Sequence, residues 1–317
     1  MLISTAVSYC RACLVKDIKK NTQSGRAATV QKVLIAGATG YLGKFLVQEC
    51  KKRGYWVRTL ARNPHKLDPV RNSVDEIFTG EATKPETLRG LCDGIDIIVS
   101  SLGVASSRTN ETIPLDDIDY GGNSNILKEA LSAQVKKFIY VAFIKTAEFE
   151  HLEITHIKER FVKELRESGI KYCVIRPTAF FSDMGEILKQ AKQGTVYLLG
   201  SGKHRSNAIH GSDLAKVCVD AIESQETEIA VGGPEIVSYQ EAAELAFKIL
   251  GKPPRIRKIP SWPIVILLKV LRPFLSRRKY TLIQFLLAAF TNDAIAPKYG
   301  SFTLEKFYRE EAEREGQ

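Results

Sequence analysis

Three glycines impose the first chemical constraint. The segment Gly37-Ala38-Thr39-Gly40-Tyr41-Leu42-Gly43 places a glycine at every third position. It lies between the continuous apolar run Val33-Leu34-Ile35-Ala36 and a helical pattern from Tyr41 to Arg53 closed by Gly54. In that strand–turn–helix context the first glycine permits a tight turn, the second lets backbone approach a diphosphate, and the third lets helix and strand pack closely. The unpaired N–H groups at the helix start then face the anion, so Gly37, Thr39, Gly40, Tyr41, Leu42 and Gly43 are candidate ligands of a dinucleotide. Where a site for NAD carries an acid about 20 residues past the turn, to bond the ribose 2′-hydroxyl, this chain reads Arg58-Thr59-Leu60-Ala61-Arg62. Arg62 stands in place of the acid, with Arg58 on the same strand face, which points to a 2′-phosphate and to NADP(H) preferred over NAD(H). The alternative is a solvated arginine at a strand end.

Two further groups belong to the same carboxyl edge. Asp96 to Gly103 reads as a strand entering a loop, which makes Ser100, Ser101 and Gly103 either cofactor neighbours or caps of the next segment. On a helix from Thr155 to Ser168, Ile154, Ile157, Phe161, Val162 and Leu165 form one apolar arc that includes Lys158, while His156, Arg160 and Lys163 point away. A lysine on such a face must reach past it to water, find an acceptor or lose its proton. Ribose hydroxyls would serve as acceptors.

These groups require a scaffold that gathers strand ends. Strand patterns at Val33–Ala36, Trp56–Leu60, Glu76–Thr79, Asp96–Ser100, Lys137–Ala142 and Tyr172–Ile175 alternate with helical ones at Tyr41–Arg53, Pro85–Leu91, Tyr120–Ala133 and Thr155–Ser168. That alternation predicts an α/β fold, a doubly wound parallel-sheet Rossmann fold. Beyond Pro177 the rhythm becomes irregular and helical, at Met184–Lys192, Ser212–Ser224, Tyr239–Leu250, Pro263–Leu275 and Tyr280–Phe290. We therefore expect a basic extension over 1–31, a cofactor domain over 32–183, and a smaller, mostly helical C-terminal substrate lobe over 184–317, interleaved with the Rossmann body.

The chain resembles the atypical short-chain dehydrogenase/reductase superfamily, especially NmrA-like proteins and divinyl chlorophyllide 8-vinyl reductases, over roughly 32–307. The resemblance rests on the glycine turn, Arg176-Pro177-Thr178-Ala179-Phe180-Phe181-Ser182-Asp183-Met184, Asn207 to Ala215, Gly232-Gly233-Pro234-Glu235 and Ala296 to Gly300. It implies that Lys158 is the lysine of a Tyr-x-x-x-Lys pair and holds the nicotinamide ribose as the catalytic lysine. It also implies that Pro177, Thr178 and Phe180 line the nicotinamide pocket. Ile154 occupies the tyrosine position and Ala142 the usual serine position. The family's proton donor is therefore missing, and His210 is either a substitute acid or a packed structural histidine. Hydride transfer does not itself need the tyrosine.

The rest of the chain narrows the function. With 44% hydrophobic and 26% charged residues it reads as a globular enzyme. The net charge of +10 is spread among 36 acids without a nucleic-acid motif, so no nucleic acid is expected as partner. Cys10 and Cys13 form a lone Cys-x-x-Cys without further ligands, no metal site is expected, and Cys50, Cys92, Cys173 and Cys218 read as small core residues. The first 31 residues carry Arg11, Lys16, Lys19, Lys20 and Arg26 against Asp17, either an organellar (plastid or mitochondrial) presequence or a basic tail of a soluble, cytoplasmic protein. The apolar stretch Trp262–Leu275 is interrupted by Lys269 and Arg272 and is too short to span a bilayer. Over 262–290 it reads as a pocket lid, a peripheral membrane contact or core packing. The expected activity is NADPH-dependent reduction of a hydrophobic, conjugated small molecule, tetrapyrrole-like or quinone-like. The alternative is a non-catalytic NADP(H)-binding sensor or assembly factor.

Overall fold

The computed structural model describes residues 30–104 and 113–314. Cys10, Cys13 and all but the last two residues of the basic extension lie outside the described residues. Seven parallel strands form the main sheet: β1 (Lys32–Ala36), β2 (Trp56–Ala61), β3 (Glu76–Thr79), β4 (Ile97–Ser100), β5 (Lys137–Val141), β6 (Lys171–Pro177) and, late in the chain, β9 (Glu228–Val231). Their order is β3-β2-β1-β4-β5-β6-β9. The order reverses direction at β1, and the β1 and β4 carboxyl ends, Ala36 beside Ser100, open the crevice where such sheets bind ligands.

Both faces are covered, which explains why the central strands are apolar without alternation. On one face α1 (Tyr41–Lys52) and α6 (Gly211–Asp220) bury Leu46, Val47, Leu214 and Cys218 against Val33, Ile35, Val99 and Ile139. On the other, α2 (Asn123–Ser132) and α4 (Glu153–Glu167) bury Ile126, Leu127, Phe161 and Leu165 against Leu34, Ile98, Phe138 and Tyr140. Each such side chain contributes about 1.5–3 kcal/mol of transfer free energy. The short α3 (Ala147–Glu150) precedes α4. The four cysteines read as core residues are buried and free, and burial pushes their thiols up.

Beyond β6 the chain forms α5 (Phe181–Lys192), α7 (Tyr239–Ile249), α8 (Ser261–Leu271), α9 (Arg277–Thr291) and α10 (Leu304–Arg314). Two small sheets join them: β7 (Val196–Leu199) with β11 (Ile256–Ile259), and β8 (Arg205–Ser206) with β10 (Val237–Ser238). The described residues from 31 onward form one compact unit, and β9 returns from the late sequence to the main sheet.

Three expected helices differ. Pro85–Leu91 is a 3-10 turn over Pro85–Thr87 followed by tight turns, because Gly90 sits at φ +78° where a right-handed helix cannot continue. The helix expected to start at Tyr120 is entered through a π-helical stretch, Asp116–Gly122. The helix expected from Pro263 to Leu275 ends at Leu271, with Pro273 in a following 3-10 turn.

Candidate functional site

The glycine turn has the construction its spacing requires. Gly37 adopts φ +81°, and a Cβ there would stand 2.8 Å from the Ser101 carbonyl group. A Cβ on Gly43 would stand 2.1 Å from the Gly37 oxygen, so the first turn of α1 and the β1 exit can meet only because residue 43 is glycine. The Gly40 N–H donates to the Gly37 carbonyl at 2.9 Å. Gly40 is the helix cap residue, no side chain caps α1, and no acid lies in its first turn. The first amides of α1 are thus left to an external anion, favoured further by the helix dipole. A dinucleotide's diphosphate fits this cradle.

Leu42 packs its side chain into the core, so its contribution to such a site is its backbone N–H alone. The Tyr41 hydroxyl accepts from the Gly211 N–H at 3.1 Å and fixes the start of α6 against α1, and burial pushes its pKa up. Ser101 donates to the Ala36 carbonyl at 3.2 Å and supports the turn, whereas Ser100 is committed to Asn123 at 2.6 Å.

Arg62 lies beside a cavity of about 290 Å³ lined by Thr39, Arg62, Asn63 and Lys66. Its guanidinium is 3.8 Å from Glu81. Lys66 is a second cation that the sequence reading missed. It sits on the 3-10 helix Pro64–Ser73, whose two prolines hide any helical period, and the Asn63 side chain caps that helix by accepting from the His65 N–H. Arg58 does not join them. It donates to Glu76 at 2.8 Å and to the carbonyls of Leu91 and Asp93 at 2.8 and 3.0 Å, because strand pairing sets it beside Glu76 on the same sheet face.

The apolar arc of α4 is buried as its period requires: Ile154 4%, Ile157 6%, Phe161 0%, Val162 1% and Leu165 0% exposed. Lys158, inside that arc, has found an acceptor within the protein. Its ammonium donates to Asp119 at 2.6 Å and stands 5.8 Å from the Tyr140 ring centre. Burial works against the charge, but Asp119 and Tyr140 outweigh it and hold the Lys158 pKa above the ordinary lysine value. Asp119 is fully buried, also accepts from the Val104 N–H at 3.1 Å, and is braced by Asn123, which donates to its carbonyl at 2.8 Å. A Cβ on Gly103 would stand 3.2 Å from the Lys158 nitrogen and 2.8 Å from the Asp119 oxygen, so the β4 exit loop passes directly over the pair. Asp119 was not read from the sequence. It lies 39 residues from Lys158, in a run of three acids of which it alone is buried.

The Arg-Pro-Thr segment closes the edge. Pro177 ends β6 and its carbonyl accepts from the Ile144 N–H at 2.8 Å. Thr178 donates its hydroxyl to the Asn207 carbonyl at 2.7 Å, which commits it structurally. Phe180 packs edge-on against Tyr41 with ring centres 6.2 Å apart, next to the glycine turn. Ala142 and Phe143 pack close to Lys158, Glu159 and Arg176, leaving no space between them wide enough for a water molecule, and the Arg176 guanidinium is held by Glu159 at 2.7 Å and Glu228 at 2.8 Å. Phe143, Phe149 and Phe285 form an aromatic wall with ring centres 5.4–6.3 Å apart.

His210 is the packed histidine, not an acid. Its ring stacks on Phe302 at 3.9 Å, lies 5.0 Å from Phe45, and caps α6 by accepting from the Ser212 N–H. Burial lowers its pKa to about 4, so at neutral pH it is an uncharged imidazole rather than an imidazolium acid.

Comparison with known proteins agrees with this geometry. A family model described as NAD(P)H-binding matches residues 37–225, more than half of the chain. The chain is 28% identical to a chloroplastic divinyl chlorophyllide a 8-vinyl-reductase of Oryza sativa subsp. indica, covering 90% of this chain and 79% of that protein. It is 25% identical to the photosystem II assembly factor Ycf39 of Trieres chinensis, covering 72% of each. Among solved structures, the NADPH-dependent quinone oxidoreductase of Escherichia coli, complexed with NADPH, superposes with a TM-score of 0.69 at 15% identity, covering 88% of this chain and 99% of that one.

Proposed function

Because the chain belongs to the NAD(P)H-binding family that its residues 37–225 match, we propose that it is an NADPH-dependent reductase of a hydrophobic, conjugated small molecule, of tetrapyrrole or quinone type. The observation that carries this reading is the buried Lys158–Asp119 pair directly under Gly103, a fixed cation at the sheet edge that also holds the glycine turn. The dinucleotide would supply the hydride. The amides of residues 41–43 would hold its diphosphate, and Arg62 with Lys66 its 2′-phosphate, which is the basis for preferring NADP(H). Of the three donors on the Lys158 ammonium one is used by Asp119 and a second faces Tyr140, which leaves one for a ribose hydroxyl. Asp119 keeps that ammonium charged and aimed. Phe143 and Phe285, partly buried over Phe149, would offer a flat apolar acceptor a surface to stack on.

Ile154 and Ala142 stand where a phenol and a hydroxyl would polarise and protonate a simple carbonyl. A conjugated acceptor needs neither, since its negative charge spreads over the ring system and solvent can deliver the proton. The rice relative's name refers to a tetrapyrrole substrate, which agrees with that chemistry. The same two residues favour a second reading, a cofactor-dependent assembly factor without turnover, of the kind the Trieres relative's name describes. NADPH oxidation followed with quinones, conjugated carbonyls and vinyl tetrapyrroles separates the two. Stoichiometric oxidation, reduced about 100-fold in kcat by Lys158→Met, supports the reductase. Inertness toward all of them in a protein that binds NADPH supports the second reading.

A further inference from the structure

We propose that α8 and the turn after it form a docking face for an anionic lipid bilayer, lying within the headgroup layer without crossing it. α8 is apolar on almost every side, yet of its residues only Leu268 is buried. Trp262 is 67% exposed, Ile266 54%, Val270 62% and, in the following turn, Phe274 84%. These recur one helical turn apart and form a single outward stripe. Isolated exposed apolar residues are ordinary on a soluble surface, but a contiguous stripe of this kind marks an interaction site.

Charge identifies the occupant. From residue 245 to residue 292 the chain holds ten Lys and Arg and no Asp or Glu. Lys269 and Arg272 lie beside the stripe, and among the described residues no carboxylate pairs with either. Arg272 rests over the Tyr280 ring at 5.5 Å. Cations flanking an exposed apolar helix, with a tryptophan at one end, match a surface of lipid phosphates over acyl chains. Among the described residues no helix is long and apolar enough to cross a membrane, which makes the contact interfacial.

The adjoining helix ties this face to the site. α9 buries Leu282 against Leu115 and Ile157, places Phe285 on Phe143 and Phe149, and bonds Glu153 through Arg277 and through Thr281 at 2.7 Å. Ile157 and Glu153 belong to the helix that carries Lys158. A bilayer under α8 would thus lie one helix away from the aromatic wall, where a lipid-soluble substrate could pass from one to the other. The docking face itself stands whether or not the reductase reading does.

The test is flotation of the full chain with vesicles of phosphatidylcholine alone and with one-third phosphatidylglycerol, read together with quenching of Trp262 by brominated acyl chains in a Trp56→Phe background. The expected result is binding at least about tenfold tighter to the anionic vesicles, weakened by salt, with Trp262 quenched. Ile266→Glu with Phe274→Glu should abolish flotation while leaving thermal midpoint and NADPH affinity unchanged, since both side chains are exposed. Absence of flotation with either vesicle would overturn the proposal, as would flotation that survives the double variant. A dimer that shields Trp262 from every vesicle would overturn it in favour of a second copy as occupant.

Discussion

At the α1 end of the candidate site the anion cradle is made of glycines and backbone amides with no acid in the first helical turn, whereas at the α4 end it is a charged pair, Lys158 and Asp119, enclosed by protein. The first needs only that side chains be absent. The second needs two side chains from distant segments to meet and to neutralise each other. Buried ionisable groups at the two ends diverge accordingly: Lys158 keeps its proton because Asp119 faces it, and His210, packed among Phe45, Phe181 and Phe302 beside α1, has lost its own. The difference lies in the partner: a facing carboxylate keeps the buried ammonium charged, whereas surrounding aromatic rings leave the buried imidazole neutral.

The largest expected effect falls on the charged end. Asp119→Asn leaves an unpaired ammonium at the same place and should cost about 3–5 kcal/mol of stability by denaturant titration. Lys158 has its folded pKa raised, so the pair's contribution is complete below the unfolded value of about 10.4 and is lost only as pH rises beyond it. A smaller loss would mean that the Lys158 ammonium does not depend on Asp119, and the contrast fails. His210 has the opposite sign. Its folded pKa is depressed from 6.5 to about 4, so its contribution is present above pH 6.5 and is lost as pH falls toward 4, a change of about 3 kcal/mol at most. His210→Asn, which keeps a cap acceptor, should flatten that stretch of the stability profile.

At the cradle end Gly40→Asp sets a carboxylate against the diphosphate and should weaken NADPH binding by about 100-fold in calorimetry with the fold intact, since Gly40 has an ordinary extended backbone at φ −80°. Unchanged binding would move the anion elsewhere. Arg62→Asp is milder. It should cost NADPH about tenfold and NADH little, and an unaltered ratio between the two would leave the cavity beside Thr39 and Lys66 without a role in cofactor choice.

The cradle was legible because its signals are local: three glycines, an apolar strand before them and a helical period after them. The inward face of α4 was legible for the same reason, and it singled out Lys158 before any partner was known. Asp119 was not legible, because the π-helical stretch Asp116–Gly122 shifts side chains off the ordinary helical period, and only tertiary structure separates Asp119 from Asp116, which pairs with Arg160 at the surface. Arg58 shared a strand face with Arg62, yet strand pairing with β3 offered it Glu76 first. β9 escaped because Glu228 to Val231 is a short strand whose place at the sheet edge is set by β6, far earlier in the chain. The exposure of α8 was equally hidden, since an apolar helix reads the same whether it faces a core or a lipid.

The central claim is that the amides of residues 41–43 hold the diphosphate of a nicotinamide dinucleotide. Isothermal titration of NADPH and NADH into the folded chain tests it most directly. The account predicts saturable binding of one dinucleotide per chain, tighter for NADPH and lost in Gly40→Asp. Absence of heat with both dinucleotides, in a protein whose cooperative unfolding shows it to be native, would contradict it.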